Sequence, residues 1–144
     1  MAVEIPVRLN VYLTQLLVVA IFFVLVHVGL NAYHYEVEEL PWLLLQLFEL
    51  DEENNLPTWF SSFLLLNNAA VLLVATAQAR QHQIQWGILS FGFLVLAIDE
   101  VAGMHETFHT AIDTNWTIYA ALLVGIVGLF FVPFLLALPR RLAV

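Results

Sequence analysis

The sequence predicts an all-α integral membrane protein, a four-helix transmembrane bundle. Three observations carry that reading. The 144 residues are 62% hydrophobic and only 11% charged, whereas a soluble domain is roughly 45–50% apolar and about 25% charged. Four apolar runs, residues 9–34, 57–78, 84–105 and 116–138, each reach the roughly 20 helical residues that cross a bilayer. No stretch alternates like a lipid-facing strand, so helices are the spanning structure. The third observation is a segregation of charge between the two ends of these runs.

That segregation sets the orientation. Arg8 precedes the first span, Arg80 follows the second, and Arg140 and Arg141 follow the fourth. Four spans place all of them on one side, which the positive-inside rule assigns to the cytoplasm. Glu36, Glu38, Glu39, Glu49, Asp51, Glu52, Glu53, Asp99, Glu100, Glu106 and Asp113 all fall on the other side, and only Glu4 joins the arginines. The expected topology is N-in and C-in, multi-pass, in a bacterial inner (plasma) membrane, with a strongly acidic extracytoplasmic face.

The elements follow in order. The first span holds the unbroken apolar stretch 16–26. It is too long for the apolar core of a signal peptide, and no small-residue cleavage site follows, so it is read as a retained span. Between spans one and two, Leu40, Trp42, Leu43, Leu44, Leu45, Leu47, Phe48 and Leu50 form an apolar stretch between acidic clusters. It is too short to cross, and reads as a helix over about 41–50 lying in the interface and started at Pro41. Residues 51–55 form a polar loop, and Pro57 suits the first turn of the second span. Residues 79–83 make a tight polar turn. Trp42, Trp59 and Trp116 mark the outer headgroup level and Trp86 the inner one. No repeat interrupts the chain, which is read as a single domain over 1–144.

Composition excludes several functions. Four arginines against twelve acids give a net charge of −8, so no nucleic acid is expected as a partner. The absence of lysine rules out Schiff-base chemistry. The absence of cysteine removes disulfides, thiolate catalysis and Cys-ligated zinc or iron–sulfur centres.

The candidate site rests on polar residues within or near the spans, which are functional candidates by default. His27 lies in the outer half of the first span, with Asn31 and His34 continuing its face. A histidine bonded to a neighbouring helix and a ligand to metal, haem or pigment are both open. The third span ends in the densest polar run, Asp99, Glu100, His105, Glu106 and His109. Read as one helix, Asp99, Gly103 and Glu106 share a face, and Gly103 leaves room for a close partner helix or a bound group. Glu106 and His109 have the E-x-x-H spacing that lets a bundle helix offer a carboxylate and an imidazole to one metal. His105 and His109, four apart, can also converge. A solvated helix end is the competing reading. In the second span, Ser61 and Ser62 are expected to bond across to the third span, within reach of its carboxylates. Asn67 and Asn68 are expected to pair with another span through Gln15 or Thr14.

Two motifs, FxLDxExxxPTWFSS over 48–62 and DExxxxHE over 99–106, resemble those of a family of small, uncharacterised bacterial multi-pass membrane proteins. The resemblance covers roughly residues 45–106. It implies that Asp51, Glu53, residues 59–62, Asp99, Glu100, His105 and Glu106 belong to one outer-face constellation. A looser likeness is to membrane hydrolases of the alkaline ceramidase type, which use a Ser, an Asp and three His around zinc. Here Ser61 or Ser62, Asp99, His105, His109 and either His27 or His34 match by residue type, although those enzymes have about seven spans.

The favoured expectation is therefore a divalent transition metal, zinc or iron, at the extracytoplasmic face, with Asp99, Glu100, His105, Glu106 and His109 as ligands. His27, His34, Ser61, Ser62, Asp51 and Glu53 support it. The alternative is an accessory subunit of a respiratory, photosynthetic or oxygenase complex, with haem or pigment on His27 and the acidic face docking a partner. A zinc hydrolase and a small ion transporter are weaker alternatives. Expected partners are the bilayer and either a second copy or a larger membrane complex.

Overall fold

The computed structural model describes residues 8–105 and 116–138. Among these the elements are α1 (Leu9–Glu36), α2 (Trp42–Leu47), α3 (Leu56–Gln78), α4 (Gln83–Ala102) and α5 (Trp116–Ala137), with no strand. Helices α1, α3 and α4 are each long and apolar enough to cross a membrane, as expected of a membrane protein. The described apolar part of α5, Ala121–Ala137, is shorter. Large apolar side chains are exposed along all four, and α1 buries no residue at all. A surface of that kind is stable against lipid, not water. The chain forms two compact units, residues 1–59 and 60–144, with the division inside the first turn of α3.

In the first unit the chain leaves α1 and doubles back along it. Val37 and Glu38 donate their N–H groups to the Tyr33 carbonyl at 3.0 and 3.2 Å. The Leu40 N–H donates to His34 Nδ1 at 2.9 Å. Helix α2 then begins behind Pro41, which has no N–H to leave unsatisfied. Just past it, the Phe48 ring packs against Phe22 and Phe23, each at 6.4 Å between centroids. Glu49 reaches His27 at 3.2 Å.

The loop into α3 is tied by one asparagine. Asn55 is 3% exposed. Its Nδ2 donates to the Glu49 and Glu52 carbonyls, both at 2.7 Å. Its Oδ1 accepts the Thr58 N–H at 3.0 Å, which makes it the N-cap of α3. Asn54, with φ 61°, supplies the left-handed residue that the loop needs.

In the second unit, α3 and α4 are antiparallel neighbours joined at two levels. Ser62 Oγ donates to the Ala97 carbonyl at 2.6 Å, and Ser90 Oγ donates to the Ala69 carbonyl at 2.8 Å. On each helix the two positions are seven residues apart, two helical turns, so both bonds lie on one seam. Ala69, Ser90 and Ala97 are buried. Small residues there let the backbones approach within reach of a hydroxyl. Near the start of α4, Phe134 of α5 is 2% exposed. It meets Trp86 edge-on at 5.0 Å and His82 at 5.5 Å, with Phe131 at 5.7 Å.

One expectation is corrected. The third span does not continue to His105, because α4 stops at Ala102 and Gly103 takes the left-handed conformation, φ 57°. Asn67 and Asn68 make bonds within α3. Their amides donate to the Phe63 and Leu64 carbonyls of their own helix, at 2.7 and 2.9 Å. Thr14 likewise donates to Asn10 within α1 at 2.8 Å. A carbonyl one turn back is always at hand, whereas an interhelical partner must be placed.

The seam makes a direct prediction. Ala69→Leu or Ala97→Leu, which overpack it, should each cost about 1–3 kcal/mol. Leu73→Ala, at an exposed position of α3, should change stability by less than about 0.5 kcal/mol. Reversible unfolding in mixed micelles measures all three.

Candidate polar site at the end of α4

Asp99 lies in the last turn of α4 and brackets the turn that ends it. Its carbonyl accepts the Gly103 N–H at 2.8 Å. Its carboxylate reaches six residues ahead. Oδ1 accepts the backbone N–H of His105 at 2.9 Å, and Oδ2 lies 3.1 Å from His105 Nδ1. A continuous helix would carry residue 105 more than a turn beyond Asp99. The left-handed Gly103 reverses the chain, and helical backbone resumes at Met104 and His105. Glycine reaches that conformation without the Cβ clash that other residues meet there.

The electrostatics favour the same arrangement. A carboxylate near a helix C-terminus meets the negative end of the dipole, at a cost of about 0.3–1 kcal/mol. The two donors of His105 offset that cost. Asp99 and His105 are both half-buried, with side chains 24% and 33% exposed, so the pair is partly shielded from water. In the tautomer that donates Nδ1–H to Oδ2, Nε2 is the ring's basic nitrogen. This is the arrangement in which a carboxylate fixes the tautomer of a metal-binding or proton-transferring histidine.

The other expected site residues fall as follows. Glu100 is half-buried beside Asp99 on α4. Glu106 and His109 lie outside the described residues. Because α4 ends at Gly103, the single helical face proposed for Asp99, Gly103 and Glu106 is interrupted. Ser62 does not bond a carboxylate; it holds the Ala97 carbonyl, two residues before Asp99. Ser61 is half-buried, one position earlier on α3. Asp51 and Glu53 lie in the loop of the first unit, exposed and half-buried. Among the described residues, no three His, Asp or Glu side chains converge as a metal site.

The two histidines of α1 have different tasks. His34 Nδ1 accepts the Leu40 N–H, so that nitrogen shapes the turn and is not presented to a ligand. His27 Nδ1 faces Glu49 Oε1 at 3.2 Å, while Asn31 Nδ2 donates to the His27 carbonyl at 3.0 Å. Glu49 was not among the expected site residues. It lies 22 positions from His27, and only the return of the chain along α1 brings them together. Asn55 was missed as well, although an Asn two residues before Pro57 is a legible helix-start signal.

Changes at Gly103 should separate the turn from the site chemistry. Gly103→Ala should destabilise the protein by about 1 kcal/mol, and Gly103→Asn by less, since Asn tolerates the left-handed region. Unfolding in micelles reads the cost. The His105 amide resonance, which reports its bond to Asp99, should move in the alanine variant.

Comparison with curated proteins and with solved structures gives no match. A family model described as a domain of unknown function (DUF8692) matches residues 11–144, spanning every described helix from the first turn of α1 onward. The chain belongs to that family.

Proposed function

We propose that this protein crosses a bacterial inner membrane four times, N-in and C-in. It holds a divalent transition metal at the extracytoplasmic end of α4 through Nε2 of His105. The observation that carries the reading is the double grip of Asp99 on His105, which orients the ring and commits Nδ1 to a carboxylate. Asp99 is then a positioning residue, not itself a ligand. Glu106 and His109, one and four positions further in sequence, are of the donor types that such a site needs, and Glu100 is nearby on α4. Imidazole and carboxylate donors, in a chain with no Cys and two Met, suit zinc or iron over Cu(I).

Support for the membrane reading comes from three long apolar helices with exposed apolar surfaces. The apolar run through α5 supplies the fourth span, and the arginine distribution supplies the orientation. In this topology the end of α4 and the acidic loops share one side of the membrane.

Elemental analysis of protein purified in mild detergent without a polyhistidine tag tests the site. About one equivalent of zinc or iron is expected. His105→Ala should abolish it, and Asp99→Asn should weaken metal affinity by about 10–100-fold while the protein stays folded. A metal-free protein, or equal metal in His105→Ala, would overturn the proposal.

A further inference from the structure

We propose that residues 37–50 form a re-entrant wedge in the leaflet at the C-terminal end of α1, with lipid acyl chains as its partner. This replaces the flat helix at headgroup level, and it rests on the reading of α1 as a span. The contacts define a descent. Leu40 is bonded at the level of His34, whereas Phe48 packs against Phe22 and Phe23 and Glu49 against His27. His34 to Phe23 is eleven residues, ~16 Å of helical rise. A helix lying across α1 would meet it at one level only.

The depth follows from the length of α1. Its 28 residues extend ~42 Å, whereas the hydrocarbon core is ~30 Å thick. Counted from Leu9, beside the cytoplasmic Arg8, ~30 Å ends near Val28. His34 is then outside the hydrocarbon, His27 is at its edge, and Phe22 and Phe23 are ~8 Å within it. The apolar part of the segment dips below the edge and Glu49 returns to it. There Glu49 Oε1 accepts the Leu50 N–H at 3.1 Å and meets His27, so the acid that the wedge carries down has partners.

The side chains sort to match. Leu44, Leu45 and Phe48 are half-buried, and Phe48 meets α1. Trp42, Leu43 and Leu47 point outward, 71%, 69% and 40% exposed. Helix α1 likewise exposes its apolar side chains and buries none, so acyl chains suit both surfaces.

The chain has no cysteine, so each single-cysteine variant carries one nitroxide label. Leu17→Cys, Leu43→Cys and Leu47→Cys all replace exposed residues and require no repacking. Label depth in phosphatidylcholine vesicles is read from power saturation with oxygen and a nickel chelate. The label at 47 should lie ~6 Å deeper than that at 43, with the label at 17 near the bilayer centre. Equal depths at 43 and 47, or water exposure at both, with 17 deep, would overturn the wedge alone. Water exposure at 17 would overturn the spanning reading of α1 and the wedge with it.

Discussion

Hydrocarbon offers a polar side chain no water, so its hydrogen bonds must be found within the protein. In the long helices the answer is almost always a backbone carbonyl. Thr14, Asn67, Asn68 and Thr76 donate to the carbonyl one turn back on their own helix. Ser62 and Ser90 instead donate across to the neighbouring helix. Only that second choice joins elements, and it requires small residues along the seam. The pairs Ser62–Ala97 and Ser90–Ala69 fix α4 against α3 over two turns. The Ser62–Ala97 pair grips α4 two residues before Asp99, so the candidate site follows directly on the seam.

At the end of α4 the same demand is met differently. The helix stops because Gly103 adopts φ 57°, and its N–H is taken by the Asp99 carbonyl. The Asp99 carboxylate then captures the first donors of the chain beyond the turn. One residue therefore closes a helix, starts the next helical turn and orients an imidazole. The first unit repeats the pairing of a histidine and a carboxylate in His27 and Glu49, there to hold a returning segment against α1.

Much of this was legible in the amino-acid order. The apolar runs located the long helices to within a few residues, because the thickness of a bilayer imposes a length that sequence displays directly. Pro41 and Pro57 marked the starts of α2 and α3 for a stated reason, the missing N–H. The seven-residue spacing of Ser62 with Ala69, and of Ser90 with Ala97, was equally visible but went unread. Gly103 was misread because a glycine in an apolar periodic run signals close packing and helix termination alike. The polar pattern continued past it, and the shared face of Asp99 and Glu106 was drawn through a turn. The contact of Glu49 with His27 left no local signal, since it depends on how far the chain folds back. The cost of an unsatisfied amide at Asn67 and Asn68 is met at least in part within α3, where each donates to the carbonyl one turn back.

The central claim is that Asp99 holds His105 with its proton on Nδ1 and its lone pair on Nε2, ready for a metal. Nitrogen NMR of histidine-labelled protein in lipid nanodiscs, assigned through His105→Gln and recorded with and without added zinc, tests it most directly. The expected spectrum has a protonated Nδ1 and a bare Nε2 at His105, with Nε2 alone moving to a metal-bound shift when zinc is added. A lone pair on Nδ1, or a His105 ring that zinc leaves unchanged, would contradict it.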